Sequence, residues 1–576
     1  MVLTVTKQSK TLHSAIFVSL DTKKKAHLRG NLPDLYTNMV IGLCVDGVNV
    51  TDYELELTEK NIACLNRFNI DVEKYRRTLR AHLRLKEKGV TWYVASLDNT
   101  SEDENVYDAL PFPEADKVHK EMINNPTDAK RLRALNKETL EIARNTHRKI
   151  AYKVDEFLGY FSEAEREGAY QQLMIAMKVL CLKAQDYSFR DGRVWDNEMK
   201  RKEDFIFSNL QERVESEYNL CTAYEIESFT RQLREEGYLC EEQIATLGSL
   251  DSSAPCIITG GAGVGKTSVI KAVIDCYAKY YGKNHILLVA PTGKASRRLA
   301  EKTGLSAMTI HRALRKVPDD SFVFYDENNR LPHRLVIVDE SSMIDTALMY
   351  DLLSAVNPTS KIIFVGDHNQ LYPVGYGEPF FQFLSILEEK KCVFHLNENH
   401  RADEDTDILQ TATDVLEDRP VQSGRGVIVR EIEFNEMQYI FDKDDQNSQI
   451  IAPRNDLCRE INLFLRKGED IMNVGDKVIA LKNTELYCNG DIGYIVKKDC
   501  RKGSITVDFE GRIVEVTKAH KDDIDLAYAI TVHKMQGSEA ERIQVFIKKG
   551  DTFVDKRMLY TAVTRARKQL EIYYYH

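Results

Sequence analysis

The chain has 576 residues, of which 43% are hydrophobic and 29% charged. At about 150 residues per domain, this suggests several packed domains and argues against long disordered tracts. A net charge of −10 excludes a protein that coats nucleic acid indiscriminately, but a local basic groove needs only a few Lys and Arg on one surface.

The eleven cysteines are scattered, with no C-x-x-C pair and no His/Cys cluster at zinc spacing. Buried thiols in a reducing, intracellular compartment are expected: cytoplasm of a prokaryote, or a nuclear or viral replication site. No apolar run approaches the roughly 18 residues of a membrane-spanning helix, and the N-terminus lacks a signal-peptide core. No membrane partner is expected.

Residues 1–235 read as a helix-rich domain of unknown role, structural or docking, through which a protein partner would bind. Ala129 to Phe161 looks helical, and Ser162-Glu-Ala-Glu165 is a capping box before an apolar-periodic stretch from Tyr170 to Leu182. Asn38-Met-Val-Ile-Gly-Leu-Cys-Val and Val90-Thr-Trp-Tyr-Val-Ala are strand-like. Lys23-Lys-Lys25 reads as a solvated charge run.

After residue 235 the rhythm becomes strand, loop, helix. Ile257-Ile-Thr, Ile286-Leu-Leu-Val-Ala, Leu335-Val-Ile-Val and Lys361-Ile-Ile-Phe-Val are short, β-branched-rich runs separated by helical patterns. That is the pattern of a parallel sheet with helices on both faces, which binds ligands beyond the C-terminal strand ends. The first run leads into Gly260-Gly-Ala-Gly-Val-Gly-Lys-Thr267, a G-x-x-x-x-G-K-[ST] phosphate loop between a strand and a helix. Gly260, Gly261, Ala262, Gly263, Val264 and Gly265 would offer backbone N–H groups to phosphate oxygens, and Ser268 continues into the helix. Lys266 would reach the β- and γ-phosphates, and Thr267 would hold Mg²⁺.

The second run ends in Pro291-Thr292-Gly293-Lys294, a hydroxyl, open N–H groups and a lysine at a helix start, suited to a phosphodiester backbone. Arg297 and Arg298 follow; a solvated helix face explains them as well as a backbone contact does. The third run ends in Asp339-Glu340, where Asp339 can hold Mg²⁺ and Glu340 can orient or deprotonate a water. The fourth ends in Gly366-Asp-His-Asn-Gln370, whose amide can sense a γ-phosphate. Arg401 and Arg565 lie far downstream, and a guanidinium neutralises charge in phosphoryl transfer.

The motifs stand in a telling order: Gly260–Ser268, Ala290-Pro-Thr-Gly-Lys-Ala-Ser, Thr309-Ile-His-Arg-Ala-Leu, Val336 to Asp345, Val365 to Gly375, His400-Arg401, Ala529 to Glu539 and Tyr560 to Arg567. This ordered set resembles the RecD-like DNA helicases of superfamily 1, the group that travels 5′ to 3′ on single strands. The resemblance runs from about residue 236 to 576.

The resemblance implies two RecA-like parallel-sheet motor domains, one at 236–395 and one at 396–460 plus 526–576. It also implies a β-hairpin pin at about 317–333 and an SH3-like β-barrel insert at 461–525. ATP and Mg²⁺ are the implied cofactors, and single-stranded DNA and duplex junctions the implied partners. Gln243 would contact adenine, and Gly537 and Glu539 the nucleotide, Glu539 at its ribose. Gln370, Arg401 and Arg565 would contact the γ-phosphate, both arginines coming from the second domain. Thr292, Gly293, Lys294, Thr309, His311, His533 and Lys534 would contact the single strand.

Two departures stand out. Tyr372 replaces a usual proline beside a DNA-facing loop, to stack on a base or to pack. Ala540 replaces an aromatic after Glu539. PIF-type helicases of the same superfamily, viral-type RNA helicases and a non-motor ATP-switch scaffold are the competing readings.

Overall fold

A computed structural model of the chain describes residues 2–9, 14–19, 25–30, 40–46, 49–54, 129–147, 149, 151–153, 187–190, 193–215 and 219–576, except for 317–322, 399–405, 437–439, 441–446, 467–471, 483, 485, 500–502, 518–519 and 521–522. It forms two compact units, Met1–Asn197 and Glu198–His576.

In the first unit, five strands close into a barrel: Val2–Ser9, Ser14–Ser19, Lys25–Gly30, Val40–Asp46 and Asn49–Glu54. The expected strand at Asn38–Val45 is among them. The other four were not anticipated in a region read as helix-rich, although Val2-Leu-Thr-Val-Thr is rich in residues that suit extended backbone. The helix Ala129–His147 buries Leu132, Leu135, Leu140 and Ala143, all on one stripe. It stops well before Phe161, and Ala151–Lys153 is a strand of a small antiparallel sheet with Arg193–Asp196 and Tyr187–Arg190. The expected strand at Val90–Ala95, the capping box at Ser162 and the helix at Tyr170–Leu182 lie outside the described residues, as do Lys23 and Lys24 of the charge run.

The second unit holds two parallel sheets. The first has six strands in the order Ala307–Thr309, Ile286–Ala290, Leu335–Val338, Lys361–Gly366, Cys256–Gly260, Val393–Leu396. Its central strands are buried on both faces, which is why they read as unbroken apolar runs. Side chains alternate between two cores. Ile258, Leu288, Ile337, Ile363 and Val365 meet Val269, Val273 and Tyr277 of the helix Lys266–Tyr281. Ile257, Val289, Val336, Val338, Ile362 and Phe364 meet Met349, Leu352, Phe380 and Phe383 on the other side. All four expected strands are present to within a residue or two.

The second sheet, also parallel, runs Val427–Ile432, Ala566–Tyr575, Ala540–Lys548, Ser448–Ala452, Ala529–Thr531. It too has a core on each face. Between its strands, the chain makes a five-stranded antiparallel sheet: Lys477–Ala480, Ile492–Asp499, Ser504–Phe509, Arg512–Val516 and Ile524–Leu526. This sheet has its own apolar core around Val478, Ile495, Val507 and Phe509. It begins later than residue 461, because the helix Asn455–Leu465 packs Leu457, Ile461 and Leu465 on the second parallel sheet.

Two further boundaries differ from expectation. The helices Asn197–Val214 and Ala223–Glu236 start before residue 236, yet Ile206 and Leu210 lie in one core of the first parallel sheet and Phe229 and Leu233 in the other. Arg213, 2% exposed, donates to the carbonyls of Val356, Asn357, Pro358 and Ser360. The second unit thus starts at Glu198 rather than at 236. Within the expected pin, residues 317–322 lie outside the described set. Residues 324–329 form bends, with Asp326 N–H donating to Asn329 O at 3.1 Å, and none of residues 323–330 is in a strand.

Candidate nucleotide site between two sheet domains

The loop after Cys256–Gly260 turns through left-handed backbone at Gly263 (φ 85°) and Gly265 (φ 80°), a conformation that costs residues with a Cβ. At Gly265 a Cβ would also collide with the Gln243 amide. The helix starts at Lys266, whose ammonium donates to the carbonyls of Gly260 and Gly261, each at 2.6 Å.

Around the loop is a cleft of about 400 Å³. Gly261 to Ser268, Asp339, Glu340 and Gln370 line it from the first sheet domain, and Gly537, Glu539, Arg565 and Arg567 from the second. The topology favours this meeting, because loops at the C-terminal ends of parallel strands open on one side of a sheet. Lys266 and Arg565, 299 positions apart in the chain, face one cavity.

The acidic pair sits at the end of Leu335–Val338. Asp339 accepts the Glu340 N–H at 2.9 Å, and burial together with the Glu340 carboxylate pushes its carboxyl up to about 7. Glu340 is held at φ 51°, ψ 39°, left-handed backbone that a non-glycine residue adopts only under constraint. Gln370 is 3% exposed; its Nε2 donates to Asp367 at 3.3 Å and its Oε1 has no hydrogen-bond partner among the described residues. Arg565 is 4% exposed and is steered by bonds to Thr561 O, Ser538 O and Thr564 Oγ1. Arg401 and His400 lie outside the described residues.

Gln243 is not among the cleft-lining residues. It is buried beneath the loop, its Nε2 donating to Val264 O at 3.0 Å while its Oε1 accepts the Cys240 N–H at 3.2 Å. It braces the loop. Glu539 lines the cleft but is also clasped by Arg298 of the first domain at 2.9 Å and Arg567 at 3.0 Å. Arg298, Lys302 and Arg567 all line the cleft, and none was assigned there from sequence. For Arg298, a helix-face arginine, only the fold reveals the carboxylate opposite.

Thr292, Thr309 and Thr531 each follow or end a parallel strand and cap a helix, accepting N–H groups of Ala295, Arg312 and Lys534 at 3.2 Å. Ala290 and Thr309 are register partners, so the Thr292–Lys294 and Thr309–His311 turns emerge side by side. Gly537 approaches from the second domain: a Cβ on it would lie 3.7 Å from Thr292 Oγ1. Lys294 lies within 3.9 Å of Glu510 on the antiparallel sheet. Arg297 pairs with Asp491 of the same sheet at 3.0 Å, so it is not simply a solvated face residue. His533 and Lys534 occupy the four-residue helix Val532–Met535, and Lys534 lines a second cavity of about 620 Å³ with Asn455, Arg459 and Thr531. Tyr372 packs: it meets Phe381 edge-on at 4.7 Å and carries the Arg557 guanidinium over its ring at 4.2 Å.

Parts of the chain are similar to known proteins. Residues 243–376 match an AAA domain and residues 526–573 a UvrD-like helicase C-terminal domain. The chain is 32% identical over 354 residues to an ATP-dependent RecD2 DNA helicase of Deinococcus radiodurans, covering 57% of this chain and 48% of that protein. It is 29% identical over 395 residues to a RecBCD enzyme subunit RecD of Mycolicibacterium smegmatis, covering 58% of this chain and 70% of that one. The chain therefore spans about half the length of the Deinococcus relative. A solved Pif1 helicase from Bacteroides, in complex with ADP-AlF3 and ssDNA, aligns with a TM-score of 0.40 at 19% identity, over 58% of this chain and 92% of that one. With the phosphate loop, acidic pair, glutamine and arginine gathered around one cleft, the chain is similar over a little more than half of its length to the RecD-like helicases of superfamily 1.

Proposed function

We propose that the chain is an ATP-driven DNA helicase that moves 5′ to 3′ along single-stranded DNA and opens duplex at a junction. One observation carries the reading: a single cleft is lined by Lys266, Glu340 and Gln370 from one parallel-sheet domain and by Arg565 and Glu539 from another. On this reading the two sheets are RecA-like motor domains, the antiparallel sheet is the SH3-like insert, 317–333 is the pin and the N-terminal unit serves docking.

The residues present fit a nucleoside triphosphate with a divalent cation. The loop turns through Gly263 and Gly265 beside the Lys266 ammonium, the Gln370 oxygen has no partner among the described residues, and the Asp339 carboxyl sits where a nearby cation would favour its ionised form. ATP with Mg²⁺ would supply the cleavable phosphoanhydride and its counter-charge. With the nucleotide bound, Lys266 would exchange its two carbonyls for phosphate oxygens, and Thr267 and Asp339 would hold the cation. Glu340 takes the proton of the attacking water, and Arg565 with Arg401 neutralises charge from the second domain. Without a γ-phosphate between them, Lys266 and Arg565 lose their common partner and the domains are free to part. The Thr292–Lys294 and Thr309–His311 turns and the His533–Lys534 helix grip the strand on opposite sides of that joint, so opening shifts one grip relative to the other.

The test is unwinding of duplexes carrying either a 5′ or a 3′ single-stranded tail, with ATP and Mg²⁺. Separation of only the 5′-tailed duplex is expected. Equal or opposite preference rejects the direction, and no nucleic-acid-stimulated ATPase rejects the motor. Shortening 317–333 is expected to spare translocation more than duplex separation; equal loss of both counts against the pin.

A further inference from the structure

Asp367, 0% exposed, follows the strand Lys361–Gly366 and opens the segment that carries Gln370 into the cleft. One of its oxygens, Oδ2, accepts two hydrogen bonds. Gln370 Nε2 donates at 3.3 Å, and the Tyr560 hydroxyl, from the second domain, donates at 3.0 Å. Tyr560 is 4% exposed. Its hydroxyl lies 3.0 Å from where a Cβ on Gly261 would stand, and the Ala262 N–H faces the same phenol oxygen. The next residue, Thr561, accepts the Leu371 N–H at 3.0 Å. About one turn earlier on the same helix, Arg557 donates to the carbonyls of His368 and Gln370. A single helix of the second domain, Lys556–Val563, thus holds both ends of the segment that bears Gln370.

The chemistry of the amide gives this contact a direction. An acceptor-only carboxylate at Asp367 takes the NH₂ end of Gln370, so the oxygen end, buried and without a hydrogen-bond partner among the described residues, is the end left to serve the cleft that this residue lines. An amide oxygen accepts from a water O–H and repels a phosphate oxygen. We propose that Tyr560 is a positioning residue that acts through Asp367, orienting Gln370 so that its acceptor oxygen serves the attacking water. Docking of the second domain thereby sets the glutamine for hydrolysis. The relay rests on the proposed ATPase and names how its two domains are coupled at the reacting centre.

Tyr560→Phe removes one hydroxyl and keeps the ring. A lost hydrogen bond to a buried carboxylate predicts about a ten-fold fall in single-strand-stimulated kcat, with KM for ATP and nucleotide-free DNA affinity changed by less than about two-fold. The decisive measurement is a double-mutant cycle with Gln370→Ala. If Tyr560 acts through the glutamine, the double variant is no slower than Gln370→Ala alone; if the two effects multiply, or if Tyr560→Phe leaves kcat unchanged, the relay is wrong. Thermal melting identifies a variant that merely unfolds. In that event Asp367→Asn, which keeps the shape but removes the charge that selects the NH₂ end, takes its place in the cycle and is read the same way. A wild-type chain with no single-strand-stimulated ATPase overturns the function itself and the relay with it.

Discussion

The proposed nucleotide chemistry would depend most directly on Lys266, whose ammonium alone among the described ones is bonded to the carbonyls of Gly260 and Gly261. Lys266→Ala is expected to reduce DNA-stimulated phosphate release by at least about a hundred-fold; full residual turnover would remove the assignment. Asp339 carries a pH signature. Its carboxyl, raised to about 7 in the fold, binds a proton that the unfolded chain has already released above the ordinary carboxylate range. Folded stability attributable to Asp339 therefore declines as pH rises from about 4 to 7, with the full penalty above that. Asp339→Asn should raise the melting temperature of the metal-free protein more at pH 8 than at pH 5, both values being about a unit or more from the midpoint. An equal gain at both would show that the group is not perturbed. That Lys266, Asp339 and Glu340 gather at strand ends around one cleft was legible in the sequence because short local motifs carry them. The place of Gln243 was not: its spacing suggested adenine, and only packing shows both ends of its amide engaged by backbone.

At the scale of elements, the strand runs were readable because strands buried on both faces leave unbroken apolar text. The strands Ala307–Thr309 and Val393–Leu396 escaped notice because they lie at the edges of the sheet and are only partly buried. The antiparallel sheet was expected as a separate insert. Its grip on the helix Gly293–Thr303, through Asp491 on Arg297 and Glu510 near Lys294, was not. Those carboxylates stand beside a lysine proposed to hold the single strand. Lys294→Ala should weaken single-strand binding at low salt and lower the slope of log affinity against log salt by about 0.7, the value for one phosphate contact on a single strand. Fluorescence anisotropy over a salt series measures it; an unchanged slope would take Lys294 off the track.

At the scale of the molecule, the compact units divide at Asn197, whereas the change in sequence character falls near residue 236. A chain beginning at residue 198 is expected to fold and to keep the proposed ATPase. One beginning at 236 loses Ile206, Leu210, Phe229 and Leu233 from the two cores and leaves the carbonyls that Arg213 serves without their donor. Its yield and melting temperature should fall sharply, since burying such groups unpaired costs roughly 1–3 kcal/mol each. Equal stability of the two truncations would restore the boundary at 236. By itself the sequence determined the local chemistry, namely the phosphate loop, the acidic pair, the apolar strands and the order of motifs, because each depends on neighbours a few positions away. Only the tertiary structure decided that Arg565, Glu539 and Tyr560 meet Lys266, Arg298 and Asp367, because a parallel sheet sends all its strand ends to one side and brings together residues hundreds of positions apart.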